Sequence, residues 1–202
     1  MQNVNKLTLV FLGPQGCGKG TQIGLLKESL LKKDSDCEII HFEMGKGLRE
    51  LATRDDFTGK KTATILHEGG LIPYAISSSI FSQYLMEYVT GYERQHIIID
   101  GFPRTKDQVP ALDSAFDFFE SKPVIVICIN ISDEEAVKRL LKRGRHDDTE
   151  ESIRTRLEWS RRDTMPNIAW FRTQSDYKVI DIDGERSVEE VQKDILTQLG
   201  LQ

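Results

Sequence analysis

Gly13-Pro-Gln-Gly-Cys-Gly-Lys-Gly-Thr-Gln22 sits between an apolar run, Leu7 to Leu12 (LTLVFL), and a periodic run that opens at Ile23 (IGLLKESLLKK). Gly13 to Lys19 satisfies G-x-x-x-x-G-K, the loop whose backbone N–H groups wrap phosphate oxygens at a helix N-terminus. Glycine is required because the backbone must approach the phosphates in turns that a side chain would block. The stretch therefore predicts strand, loop, helix, with Gly16, Cys17, Gly18, Lys19, Gly20 and Thr21 around a triphosphate and Lys19 reaching its β- and γ-phosphates. Gly20 stands where the pattern has Ser or Thr, with Thr21 one place later. Direct hydroxyl ligation of a magnesium ion is thus less firmly encoded. Cys17 reads first as a small residue filling a tight loop; the other reading is a thiol activated by helix-terminal N–H groups.

Four further apolar, β-rich runs follow: EIIHF (38–42), HIIID (96–100), VIVICIN (124–130) and KVIDID (178–183). Most are continuous rather than alternating, as in strands buried on both faces. Helical patterns lie between them, with Ile23, Leu26 and Leu30 in one and Ile76, Ile80 and Tyr84 after Pro73 in another. Strands alternating with helices give an α/β fold with a five-stranded parallel sheet and helices on both faces. Residues 44–72 form a polar insertion, and 144–148 (GRHDD) a very short link.

The chain has 202 residues, 39% hydrophobic and 29% charged, enough for one good core. Its formal net charge of -5 argues against general nucleic-acid or membrane-surface binding. An anionic ligand must then be met by local positive charge. Cys17, Cys37 and Cys128 are scattered and odd in number, which supports neither a disulfide framework nor a zinc knuckle. No basic region or cleavage site flanks the first apolar run, and no run approaches membrane-spanning length. A cytoplasmic protein is expected.

Asp100 ends an apolar run, where a parallel sheet presents ligands at its carboxyl edge, and an acid there suits a hydrated magnesium ion. Together, Gly13 to Gln22 and Asp100-Gly-Phe-Pro-Arg-Thr105 resemble the adenylate kinase family of nucleoside monophosphate kinases, over nearly the whole chain. The resemblance implies a P-loop NTP hydrolase-like fold in a single domain, with its core at 1–43, 74–143 and 149–202. An NMP-binding insertion at 44–73 and a very short lid at 144–148 complete it. It also implies reversible transfer of the ATP γ-phosphoryl group to AMP with Mg2+, held by Asp100 through water, and no zinc. ATP and AMP are the expected partners, without nucleic acid or membrane, and monomer is the default state.

Residue by residue, His41-Phe-Glu-Met-Gly-Lys-Gly-Leu-Arg49 resembles the family segment around the acceptor phosphate, with Arg49 at the phosphate-gripping arginine. Met44 and Lys46 replace the family's threonine and aspartate. Gly70, Leu71 and Ile72 match the stretch along the acceptor nucleoside, and Gly101, Phe102, Pro103 and Arg104 the second phosphate contact, where a planar guanidinium fork suits phosphate. Gln108 offers a donor and an acceptor to a purine edge, and since pyrimidine-preferring relatives carry asparagine there, the resemblance implies AMP.

Lys138, Arg139, Lys142, Arg143 and Arg145 crowd eight positions of an acidic chain, with Arg139 and Arg143 one helical turn apart. Such a run reads as a phosphate clamp, against the plainer readings of a solvated basic face or a weak RNA patch. By resemblance Arg139 stacks on the ATP adenine, Arg186 lies beside it, and Arg143, Arg145 and Arg156 surround the transferring group, the last two also meeting AMP. Lys19, Arg104, Arg143, Arg145 and Arg156 are thus the expected catalytic set. Arg154 would face away. Asp148 and Glu151 have capping-box spacing and are expected to start the helix carrying Ile153, Arg156 and Leu157.

Two other readings compete: a UMP/CMP or broad-specificity kinase, permitted by Met44 and opposed by Gln108, and a non-catalytic nucleotide-binding module. A GTP switch would need N-K-x-D, and the Asn5-Lys6 pair precedes the first strand and continues Leu7-Thr8.

Overall fold

The computed structural model describes residues 6–91, 93–145 and 148–202. The five apolar runs form β1 (Thr8–Leu12), β2 (Glu38–Glu43), β3 (Gln95–Asp100), β4 (Val124–Asn130) and β5 (Tyr177–Asp183). They make one sheet in the order β2-β3-β1-β4-β5, parallel at every neighbouring pair. The helices are α1 (Lys19–Lys33), α2 (Met44–Ala52), α3 (Phe57–His67), α4 (Tyr74–Tyr88), α5 (Val109–Phe118), α6 (Asp133–Arg143), α7 (Glu150–Trp159), α8 (Asn167–Thr173) and α9 (Val188–Gln198). Among the described residues no helix is long and apolar enough to cross a membrane.

Packing explains the continuous hydrophobicity of the strands. Val10, Leu12, Ile97, Ile99 and Val126 point into one core with Phe81 of α4, Phe116 of α5 and Phe171 of α8. Their neighbours Leu9, Phe11, Ile98, Ile127 and Ile129 point into another with Ile23 and Leu26 of α1 and Ile195 of α9. The central strands therefore read as nearly continuous apolar runs because both of their faces are covered. A third, small cluster of Ala136, Leu140, Ile153 and Leu157 joins α6 to α7 and holds the arginine-bearing helices together.

The polar insertion folds into α2 and α3. Several local expectations are revised. On α4 the fully buried face is Ser77, Phe81 and Leu85, one residue round from the expected Ile76, Ile80 and Tyr84, and Ile76 is exposed. The cap of α7 is Thr149, whose hydroxyl accepts from Ser152 N. Asp148, expected there, is drawn off by arginines instead. Of the short lid, residues 146 and 147 lie outside the described residues.

Candidate active site

A cleft of about 760 Å3 opens at the carboxyl edge of the sheet, the size and place of a small-molecule site in an open α/β fold. The loop after the central strand β1 forms its floor. Gly13, Gly16 and Gly18 all have positive φ, and a Cβ on Gly13 would stand 2.2 Å from the Ile129 carbonyl oxygen. Gly16 packs against α6, its notional Cβ 3.0 Å from Ala136 O. The loop is thus wedged between β4 and α6, with Cys17 N donating to Pro14 O at 3.3 Å within it. Lys19 Nζ donates to Gly13 O at 2.9 Å, Pro14 O at 3.0 Å and Cys17 Sγ at 3.4 Å. Its ammonium curls over the loop it serves. Cys17 is buried.

Arginines line the walls. Arg49, Arg104, Arg139, Arg143, Arg145, Arg156 and Arg186 all face the cleft, with Lys19 and Asp100. Arg104 donates from Nε to Gly101 O at 2.9 Å and lies 5.5 Å from the Trp159 ring centroid. Burial pushes its pKa down, opposed by Asp100 and reinforced by Arg49 and Arg156; a guanidinium nevertheless stays cationic at neutral pH.

Arg156, buried in α7, donates from Nε to Ser152 O, from Nη1 to Gln15 Oε1 and from Nη2 to Asp148 Oδ1, each at 3.0 Å. Arg143 grips the same carboxylate with two bonds of 2.9 Å. Burial alone would raise the Asp148 pKa, but the hydrogen bonds and charges of Arg143 and Arg156 outweigh it and hold the carboxyl below its ordinary value. Asp148 therefore fixes two guanidinium groups at one wall. Arg139 donates to Glu135 at 2.7 Å and Arg186 to Asp194 at 2.6 Å. Arg154 turns outward to Glu150.

The remaining expected residues divide. Gly16, Gly18, Gly20, Thr21, Gly70, Gly101 and Pro103 line the cleft. Met44, Ile72 and Phe102 lie in the core instead, and Leu71 is not among the lining residues. Gln108 is buried, its Oε1 accepting from Arg104 N at 2.5 Å and its Nε2 donating to Ser77 Oγ at 2.7 Å. Its amide is occupied within the protein, away from the open cleft. Met44 enters the core because it begins α2 beside Phe42 and Phe102, where an unbranched side chain fills the gap.

Several lining residues escaped sequence reasoning. Trp159 Nε1 donates to Gly69 O at 2.9 Å and Thr164 Oγ1 to Arg104 O at 2.8 Å, tying the π-helical turn after α7 to both walls. The signal for Trp159 was its spacing, three residues beyond Arg156 on the same helix face. Gln15 and Glu43 also line the cleft; the P-loop pattern leaves the first unspecified.

As a metal site, Asp100 supplies a carboxylate at the cleft floor with no ion pair or hydrogen bond recorded among the described residues, and oxygen donors suit magnesium. The residues fit that ion.

Comparison with known proteins agrees with this geometry. A family model described as adenylate kinase matches residues 11–176. The adenylate kinase of Prochlorococcus marinus strain MIT 9211 is 36% identical over 196 residues, covering 97% of this chain and 98% of that protein. That of Corynebacterium urealyticum is 33% identical over 193 residues, covering 96% and 99%, and that of Thermus thermophilus is 32% identical over 198 residues, covering 96% and 97%. With a glycine-rich phosphate loop under an arginine-walled cleft and similarity running nearly end to end, the chain belongs to the adenylate kinase family.

Proposed function

We propose that this chain moves the γ-phosphoryl group of ATP reversibly to AMP, giving two ADP, with the roles of its residues as follows. The loop N–H groups and Lys19 hold the triphosphate. Arg49 and Arg104 hold the acceptor phosphate at the opposite wall, and Arg143, Arg145 and Arg156 surround the group in flight. Arg139 and Arg186 lie beside the ATP base. Asp100 would hold, through water, the magnesium ion that neutralises phosphate charge when bound.

The attacking atom is an oxygen of the AMP phosphate, already ionised at neutral pH. No side chain has to remove a proton, so the chemistry rests on alignment and charge stabilisation by fixed cations. The observation that carries this reading is the convergence of Lys19 and seven arginines on one cleft of an acidic chain. Asp148 serves it by holding Arg143 and Arg156 in place before substrate arrives, which lowers the reorganisation needed at transfer. Water is the competing acceptor; closure of the 44–73 segment and the α6–α7 wall over the nucleotides would exclude it.

For the base, Gln108 keeps its second amide hydrogen for a purine edge, with Ser77 and the Arg104 and Thr105 N–H groups fixing its orientation. Phosphorus NMR of the protein with magnesium-ATP and, in separate tubes, AMP, CMP, UMP and GMP tests the reading. ADP is expected from AMP. Faster reaction with another monophosphate would displace AMP as acceptor, and no reaction in any tube would leave a nucleotide-binding module.

A further inference from the structure

The carboxyl ends of β2 and β3 bring together three ligating side chains, of which the phosphoryl-transfer scheme uses one. Residues two apart on a strand share a face, so His41 and Glu43 project together from β2. Glu43 is paired in register with Asp100 of β3. One ligating atom from each residue of the set lies within 4.8 Å of the others.

Three features distinguish this from an ordinary acidic rim. The His41 Nε2 atom is shut off from solvent and has no hydrogen-bond partner among the described residues. Its nearest carboxylate oxygen, Glu43 Oε1, is 4.0 Å away, too far for a hydrogen bond. Like charges directly opposite on neighbouring strands are destabilising, and Glu43 and Asp100 are so placed. Neither carboxylate forms an ion pair with a lysine or arginine among the described residues; nearby Lys46 pairs with Glu50. An orphaned imidazole nitrogen and two carboxylates that form no direct ion pair with a lysine or arginine among the described residues thus converge at the carboxyl edge of the sheet.

We propose that His41, Glu43 and Asp100 form a binding site for a divalent first-row transition ion of the manganese type, occupied in the absence of nucleotide. The donor set selects the ion. Two carboxylates suit magnesium and manganese alike, whereas an imidazole favours the transition ion. Three protein ligands leave coordination positions open toward the cleft, where water or a phosphate oxygen completes the shell. This site differs in ligands and in timing from a magnesium ion delivered with ATP and held by Asp100 through water. It stands whether or not the chain transfers phosphate.

The test uses the full chain, stripped of metal and nucleotide, titrated with Mn2+ and followed by the electron paramagnetic resonance of the free ion. One tightly bound Mn2+ per chain is expected, with nitrogen-14 hyperfine coupling from the imidazole. Loss of an outer-shell partner already costs roughly 10–100-fold in metal affinity, so His41→Asn should weaken binding at least that much and abolish the nitrogen coupling. Glu43→Gln, an isosteric change, should weaken it similarly and serves if His41→Asn fails to fold by circular dichroism. Millimolar or non-stoichiometric binding to the wild type, absence of nitrogen coupling, or wild-type affinity in a folded variant would overturn the proposal.

Discussion

Lys19 shows how much of this site is decided atom by atom. Its ammonium rests on two loop carbonyls, neutral acceptors that phosphate oxygens outbid because charge-assisted bonds are roughly twice as strong. Lys19→Met keeps the stem and removes the charge. Turnover should fall about 10^2–10^3-fold or more, as when one preorganised donor to transition-state charge is lost, with the melting temperature near wild type; unchanged steady-state rates would remove Lys19 from the machinery. His96 supplies a different residue-scale effect. It is fully buried on β3, its Nδ1 accepts from Leu7 N at 3.1 Å, and burial lowers its pKa from 6.5. The unfolded chain therefore binds a proton near pH 6.5 that the folded chain refuses until lower pH. Stability contributed by the neutral ring is complete above that value and is lost as pH falls toward the folded pKa. Urea melts of His96→Asn, which keeps an acceptor for Leu7 N, should show a flatter fall as the pH drops below 6.5 than wild type; equal slopes would exonerate His96.

At the scale of elements, the phosphate loop is a backbone device locked by its neighbours. Gly13 has φ 136°, and a methyl group there would meet the β4 carbonyl of Ile129. Gly13→Ala should therefore cost about 1–3 kcal/mol or more and weaken ATP far more than AMP; equal loss of both would place the damage outside the loop. In the core, Phe81 of α4 stacks on Phe102 with centroids 4.4 Å apart, and Phe81→Ala should destabilise by about 3–5 kcal/mol in denaturant unfolding. A loss under about 1 kcal/mol would mean the cavity collapses freely. These elements were legible in the sequence because their cause is local: strands buried on both faces read as unbroken apolar runs, and the loop's glycines and lysine sit at fixed spacing. What was not legible depends on partners distant in the chain. Thr149 caps α7 because Arg143 and Arg156 claim Asp148, and Gln108 is held by Ser77, 31 residues away. Met44 looked like a pocket residue from its place in a motif, yet packing with Phe42 and Phe102 takes it inward. Sequence gives the inventory of polar groups but not which of them are already engaged.

The whole molecule carries net charge -5, yet concentrates Lys19 and seven arginines on one cleft. Such a cleft focuses positive potential within an acidic protein and draws in nucleotides while the outer surface repels polyanions. The cost is mutual repulsion among the arginines, relieved in part by Asp148, Glu135 and Asp194. Bound phosphates relieve the rest, so substrate binding and global stability must be linked. A ligand at 100 times its Kd stabilises by about 2.7 kcal/mol, and a domain of this size gains roughly 2–4 °C per kcal/mol. ATP or AMP at that saturation should then raise the melting temperature by about 5–11 °C. Because the attraction is electrostatic and the cleft is open to solvent, each Kd should rise as salt is raised from about 50 to about 500 mM. Lys19→Met should shrink the shift given by a fixed ATP concentration and leave the AMP shift intact, since the two phosphates meet different walls. Differential scanning fluorimetry with the two nucleotides, at two salt concentrations and in both proteins, reads all of this at once. Equal loss of both shifts in Lys19→Met would mean that the nucleotides share one subsite, and the division of the cleft into donor and acceptor walls would fall.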